Sequence, residues 1–205
     1  SKIAASAVNV AENKSLTIAT ADSSWNNAIS GKGTTIFGAD FDGNNNAVIE
    51  TLLTNNGVLT SNTANIKGNV SNNNKLTLNS TNDVFDNTIT GSGDLTLNGV
   101  LTANKTISQK SITNNGSLTA NADIIGAVQN NGTLNSSAEN IKTSVTNKTD
   151  AKLNLNGGTL NANVSGGKTN INGDVVLASS SKIAASAVNV AENKSLTIAA
   201  GNLWN

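Results

Sequence analysis

The stretch Asn114-Asn115-Gly116-Ser117-Leu118-Thr119-Ala120-Asn121 is followed, after a short interval, by Asn130-Asn131-Gly132-Thr133-Leu134-Asn135-Ser136-Ser137. The same turn stands at Asn55-Asn56-Gly57, ahead of Val58-Leu59-Thr60-Ser61-Asn62. Each unit joins a polar corner to a short alternating stretch. Leu76-Thr77-Leu78, Leu95-Thr96-Leu97 and Leu153-Asn154-Leu155 alternate in the same way, which is the period of a β-strand and not the 3.6-residue period of a helix. Gly at such corners supplies positive φ and Asn tolerates it.

Working outward, Leu59 is followed after seven positions by Ile66, after four more by Val70 and after six more by Leu76, which opens the next unit and closes a turn of seventeen positions. Leu134, Ile141 and Val145 repeat these offsets, and Leu118, Ile124 and Val128 do so with one residue deleted. Strands of three to five residues recurring every sixteen to twenty-one positions predict an all-β fold, a single-stranded parallel β-helix, with these ten aliphatics as its core. One coil with three or four such side chains cannot offset the entropy of ordering its backbone, so the coils must stack and share their ladders.

A longer repeat encloses the short one. Ser1 to Ala19 reads SKIAASAVNVAENKSLTIA, and the same 19 letters return at Ser181 to Ala199. Residues 1–205 therefore read as one continuous solenoid, with 1–180 as one large repeat and 181–205 as the start of the next. At about 18 residues per coil and about 4.8 Å per rung, one repeat is expected to form a rod roughly 45–50 Å long. Tandem immunoglobulin-like modules would need a repeat of about 90 residues and a two-sheet core, and neither is apparent.

Composition agrees. Hydrophobic residues are 37% of the chain but aromatics only 2%, which suits a thin core of stacked layers better than a compact globule. Net charge is zero, Pro and Cys are absent, and every one of the 13 basic residues is Lys. No guanidinium is present for bidentate recognition of phosphate or bases, so nucleic acid is not an expected partner. No run of residues is apolar enough to cross a bilayer, and Ser1 to Thr20 lacks a basic-then-apolar signal pattern; the chain reads as the interior of a longer precursor.

Asn is the commonest residue, 38 of 205. Two readings stay open: stacked side-chain amides hydrogen-bonded along the solenoid axis, or the drift of an AT-rich genome, which inflates Asn, Lys and Ile together.

The units NNGSLTAN, NNGTLNSS, TGSGDLTLNG and LNGGTLNANVSGG resemble the passenger repeats of bacterial autotransporters and related surface adhesins, above all their Asn-, Thr- and Gly-rich members. The resemblance spans roughly Gly31 to Leu177. It implies a right-handed β-helix held at the cell surface by an outer-membrane-anchored parent, with host or environmental glycans or proteins as partners. Neither a translocating barrel nor a signal peptide accompanies it here.

Few residues invite chemistry. The chain has no His and no Arg, and its 13 carboxylates are scattered, so no enzymatic activity and no cofactor are expected. Asp40, Asp42 and Asn44 imitate the opening of a calcium loop, yet the twelfth position is Thr51 where a bidentate Glu belongs, and a solvated corner is the preferred reading. Trp25 and Trp204 recur at nearly equivalent places and read as a plug between large repeats before a sugar-stacking platform. Thr17, Thr60, Thr77, Thr96, Thr102 and Thr119 each follow Leu and are expected to face outward as a partial column, which raises ice binding as a minor possibility; the regular TxT array is missing. The leading expectation is a rigid structural or adhesive stalk. End-to-end assembly into a filament, sheath or surface layer is the alternative.

Overall fold

A computed structural model describes residues 7–19, 27–38, 44–45 and 47–201. Its strands pair in parallel with the next coil, forming a β-solenoid of about 10 turns with no α-helix among the described residues. The shortest steps between paired strands span sixteen positions, as from Ser117 to Thr133, and the longest span twenty-one, as from Leu177 to Ile198. Insertions are absorbed at the corners while the strands keep their register, because a one-residue slip would turn every buried side chain outward.

Three long inward columns carry the core, beside a short stack of Ile29, Ile49 and Ile66. Leu16, Thr35, Leu53, Val70, Ile89, Ile107, Ile124 and Ile141 stand one above another on one face. Leu59, Leu76, Leu95, Ile112, Val128, Val145, Val164 and Ile183 line the second. Leu101, Leu118, Leu134, Leu153, Thr169 and Val188 line the third. Branched aliphatics meet at nearly every rung, with Thr35 and Thr169 as the polar exceptions, and the largest fully buried side chains are Phe37 and Phe85.

All ten aliphatics singled out from the short repeat are buried, but the columns correct their phase. The offsets place Leu59 with Leu118 and Leu134, whereas the solenoid stacks Leu59 in the column of Val128 and Val145. Likewise Val70 shares its column with Ile124 and Ile141. The unit has rotated by one face between the two regions. A three-faced coil can begin its apolar triplet on any face, so local spacing fixes the coil length but not which face a residue joins.

Strand length also exceeds expectation. Lys75–Phe85 and Asp94–Ala103 run 11 and 10 residues, because the chain stays extended through a corner. The register there shifts between Gly99 and Leu101, a bulge that bends the strand without ending it.

The corner glycines follow two rules. Gly31, Gly91, Gly99 and Gly126 have φ of +107°, +123°, +83° and +129°, as expected of turns that need the left-handed region. The glycines of the NNG turns do not adopt it. A Cβ on Gly116 would lie 1.9 Å from the Gly99 carbonyl oxygen, and one on Gly132 would lie 2.0 Å from that of Gly116. Gly is required at these two positions because successive coils run backbone against backbone.

Candidate functional site

The NNG turns build a regularly repeated feature of the molecule. Their first Asn points inward and their second outward, and both join amide ladders parallel to the axis. Inside, Asn114 Nδ2 donates to Asn130 Oδ1 at 2.8 Å, and Asn130 Nδ2 donates to Asn147 Oδ1 at 2.8 Å. Each inward amide also anchors its own corner: the Oδ1 atoms of Asn114 and Asn130 accept the N–H of Gly116 at 3.3 Å and of Gly132 at 3.4 Å. Asn130 Nδ2 donates in addition to the Lys152 carbonyl, in the coil above, at 3.0 Å. A buried primary amide needs several partners to be tolerated, and this arrangement supplies them by repetition.

A second inward ladder shows how a missing rung is spanned. Asn55 Nδ2 donates to Asn72 Oδ1 at 2.8 Å. The next coil offers only Gly91 at the corner, since Ser71 lies under Thr90. Asn72 Nδ2 instead reaches Gln109 Oε1, two coils ahead, at 2.7 Å. The extra methylene of Gln covers the gap, and Gly93, whose Cβ would sit 2.6 Å from Asn72 Nδ2, leaves the path open. The first ladder has no such extension: above Asn147 stand Gly166 and Gly167, and Asn147 Nδ2 is buried without a hydrogen-bond partner.

Outside, Asn98 donates to Asn79 at 2.9 Å, Asn115 to Asn98 at 3.0 Å and Asn131 to Asn115 at 2.8 Å. On another face Asn154 donates to Asn135 at 2.7 Å, Asn170 to Asn154 at 2.7 Å and Asn189 to Asn170 at 2.9 Å. These outer ladders donate toward the N-terminal end and the inner ones toward the C-terminal end, so their amide dipoles oppose. The abundance of Asn thus has a structural use, whatever a genome's composition adds to it.

The threonines expected to share one outward column fall on separate lines. Thr60, Thr77 and Thr96 stack in register, joined by Thr113, which the Leu-Thr pattern does not reveal because Ile112 precedes it. Thr102 and Thr119 stack on each other elsewhere, and Thr17 lies under Ile36. Asn44 belongs to the strand Asn44–Asn45 and its backbone lies opposite Thr60. Asp40, Asp42, Trp25 and Trp204 lie outside the described residues. Among the described residues, no group of three or more His, Cys, Asp or Glu could hold a metal ion, and one ion pair is present, Lys142 to Asp123 at 3.2 Å on the surface.

Carboxamides neither ionise nor act as nucleophiles near neutral pH. What the ladders can do is hold rungs at a fixed spacing and resist their separation, since a rung that they join carries backbone ladder bonds, an aliphatic contact and side-chain amide bonds at once. The chain matches no known family model, no curated protein and no solved structure.

Proposed function

We propose that this chain is a load-bearing segment of a bacterial surface protein, a rigid extended stalk or adhesive passenger outside the cell, with no catalytic activity and no cofactor of its own. The observation that carries this reading is the coincidence, at successive rungs, of aliphatic columns with inner and outer amide ladders along the same axis. Such redundancy is what a spacer needs: shearing one rung breaks several weak bonds together. The resemblance to autotransporter passengers supports the cell-surface setting, with neighbouring repeats as direct partners and glycans or proteins of a host or environmental surface as outer ones.

End-to-end assembly of separate chains is the second reading, favoured by the open strand edges that end a solenoid. Electron microscopy of the purified chain over a range of concentrations, with sedimentation beside it, separates the two. Discrete particles roughly 50 Å long at every concentration support a stalk segment. Long, concentration-dependent fibres make self-assembly the function, and particles without a rod-like long axis reject both.

A further inference from the structure

The 19-letter motif appears twice, and residues 7–19 of the first copy fold like residues 187–199 of the second while being used from opposite sides. In each, Asn takes the left-handed conformation, Asn13 at φ 61° and Asn193 at φ 57°. Each closes the same turn, with Lys14 N–H donating to the Ala11 carbonyl at 3.0 Å and Lys194 N–H to the Ala191 carbonyl at 3.1 Å. The first copy carries a coil: Ala7–Asn9 pairs with Ala28–Ser30, and Ser15–Ile18 with Thr34–Phe37. The second copy rests on a coil, Ala187–Val190 on Lys168–Ile171 and Leu196–Ile198 on Val175–Leu177.

The coil count closes in phase. From Leu16 the column rises through Thr35, Leu53, Val70, Ile89, Ile107 and Ile124 to Ile141. Ala138 N–H, in the turn leading into Ile141, donates to the Gly157 carbonyl at 2.8 Å and so places Gly158 one coil higher; Val175 and Leu196 follow. Leu16 to Leu196 is ten steps, from one residue of the motif to the same residue of its next copy. A period with a fractional coil would have brought the motif back on a different face.

Burial differs where the two copies are covered differently. Val10 is 5% exposed and Ile18 7%, under the coil that follows. Their counterparts Val190 and Ile198 are 48% and 38% exposed. Val10 N–H donates to the Ser30 carbonyl at 2.8 Å, and its carbonyl accepts from Gly33 N–H at 3.0 Å; the same groups of Val190 have no coil above them among the described residues. The motif is therefore specified on both edges, and its second copy presents the edge that the first has filled.

We infer that the upper edge of residues 187–198 is a docking edge for a following copy of this repeat in the same chain, entered by a coil equivalent to residues 28–37. Each copy then adds ten coils to one uninterrupted solenoid, and every surface feature recurs on the same side once per repeat. This rests on the stalk reading and gives the stalk its unit of length.

The test compares the chain with a two-copy chain, residues 1–199 followed directly by 20–205. Hydrogen exchange at the Val190 amide is expected to slow by roughly a hundredfold in the two-copy chain, as a frayed edge becomes interior. Val190→Asp leaves the melting temperature of the single chain unchanged while Val10→Asp lowers it; in the two-copy chain Val190→Asp lowers it as well. Equal exchange at Val190 in both chains, with Val190→Asp harmless in both, overturns the inference. So does protection of Val190 in the single chain that grows with its concentration, which would give the edge to separate molecules. Failure of the rod on which the stalk reading rests looks different: the amides of Ile107, Ile124 and Ile141, in the interior ladder, would then exchange rapidly in both chains.

Discussion

Asn130→Ala removes the centre of the inner ladder. Asn130 is fully buried, and its amide makes four hydrogen bonds: to Asn147 Oδ1, to the Lys152 carbonyl, from Asn114 Nδ2 and from Gly132 N–H. Truncation leaves the buried Asn147 Oδ1 and the half-buried Gly132 N–H without those partners. Asn114 Nδ2 keeps its bond to the Thr133 carbonyl at 2.8 Å. Two orphaned groups at roughly 1–3 kcal/mol each give a loss of about 4 kcal/mol. The neighbour Asn131 joins the outer ladder through Asn115 at 2.8 Å, where water replaces a lost amide, so Asn131→Ala costs about 0.5 kcal/mol. Equilibrium urea unfolding followed by far-ultraviolet circular dichroism measures both. A double-mutant cycle with Asn147→Ala should show coupling of about 1–2 kcal/mol, because removing both amides removes an orphan. Equal effects of Asn130→Ala and Asn131→Ala, or no coupling, would refute the reasoning.

Other outcomes follow from the same geometry. Gln109→Asn shortens the side chain that spans the gap at Gly91, so it loses the bond from Asn72 and destabilises by about 1–2 kcal/mol, measured by urea unfolding, whereas Gln129→Asn on the surface is nearly neutral. Gly116→Ala drives a Cβ toward the Gly99 carbonyl oxygen and costs about 3 kcal/mol or more, visible as a lowered melting temperature. Leu76→Ala, in the middle of an aliphatic column, costs about 2–5 kcal/mol in the same measurement. Pulled from its ends in a single-molecule force experiment, the chain unravels coil by coil with contour steps of roughly 60 Å, the extended length of about 17 residues. Thermal hysteresis is expected to be absent, since the stacked threonines fall on separate lines.

The architecture was legible in the chain because each coil repeats the same few requirements. Alternation at Leu76-Thr77-Leu78 announced strands, the NNG corners announced turns, and the recurrence of both fixed a coil length whose range the pairings reproduce. Phase was not legible. Leu59 and Leu118 have the same local surroundings yet stand on different faces, because face assignment depends on the sum of all corner lengths between them. The Asn ladders were half legible: the residue type suggested stacking, but only the fold distinguishes the inward Asn130 from the outward Asn131, or shows that Gln109 completes a column from two coils away. Gly at positions 116 and 132 is required not for φ, as corner composition suggests, but for the close approach of neighbouring backbones, which local sequence does not display.

The most direct test of the stacked-coil rod is a methyl nuclear Overhauser map of the chain with its isoleucine δ1 methyls labelled. The register places Ile89, Ile107, Ile124 and Ile141 on consecutive rungs of one column, with rungs about 4.8 Å apart. Cross-peaks are predicted from Ile89 to Ile107, from Ile107 to Ile124 and from Ile124 to Ile141, with much weaker transfer between Ile89 and Ile124. Absence of these sequential contacts, or strong contact between Ile89 and Ile141, would contradict the solenoid and the stalk built on it.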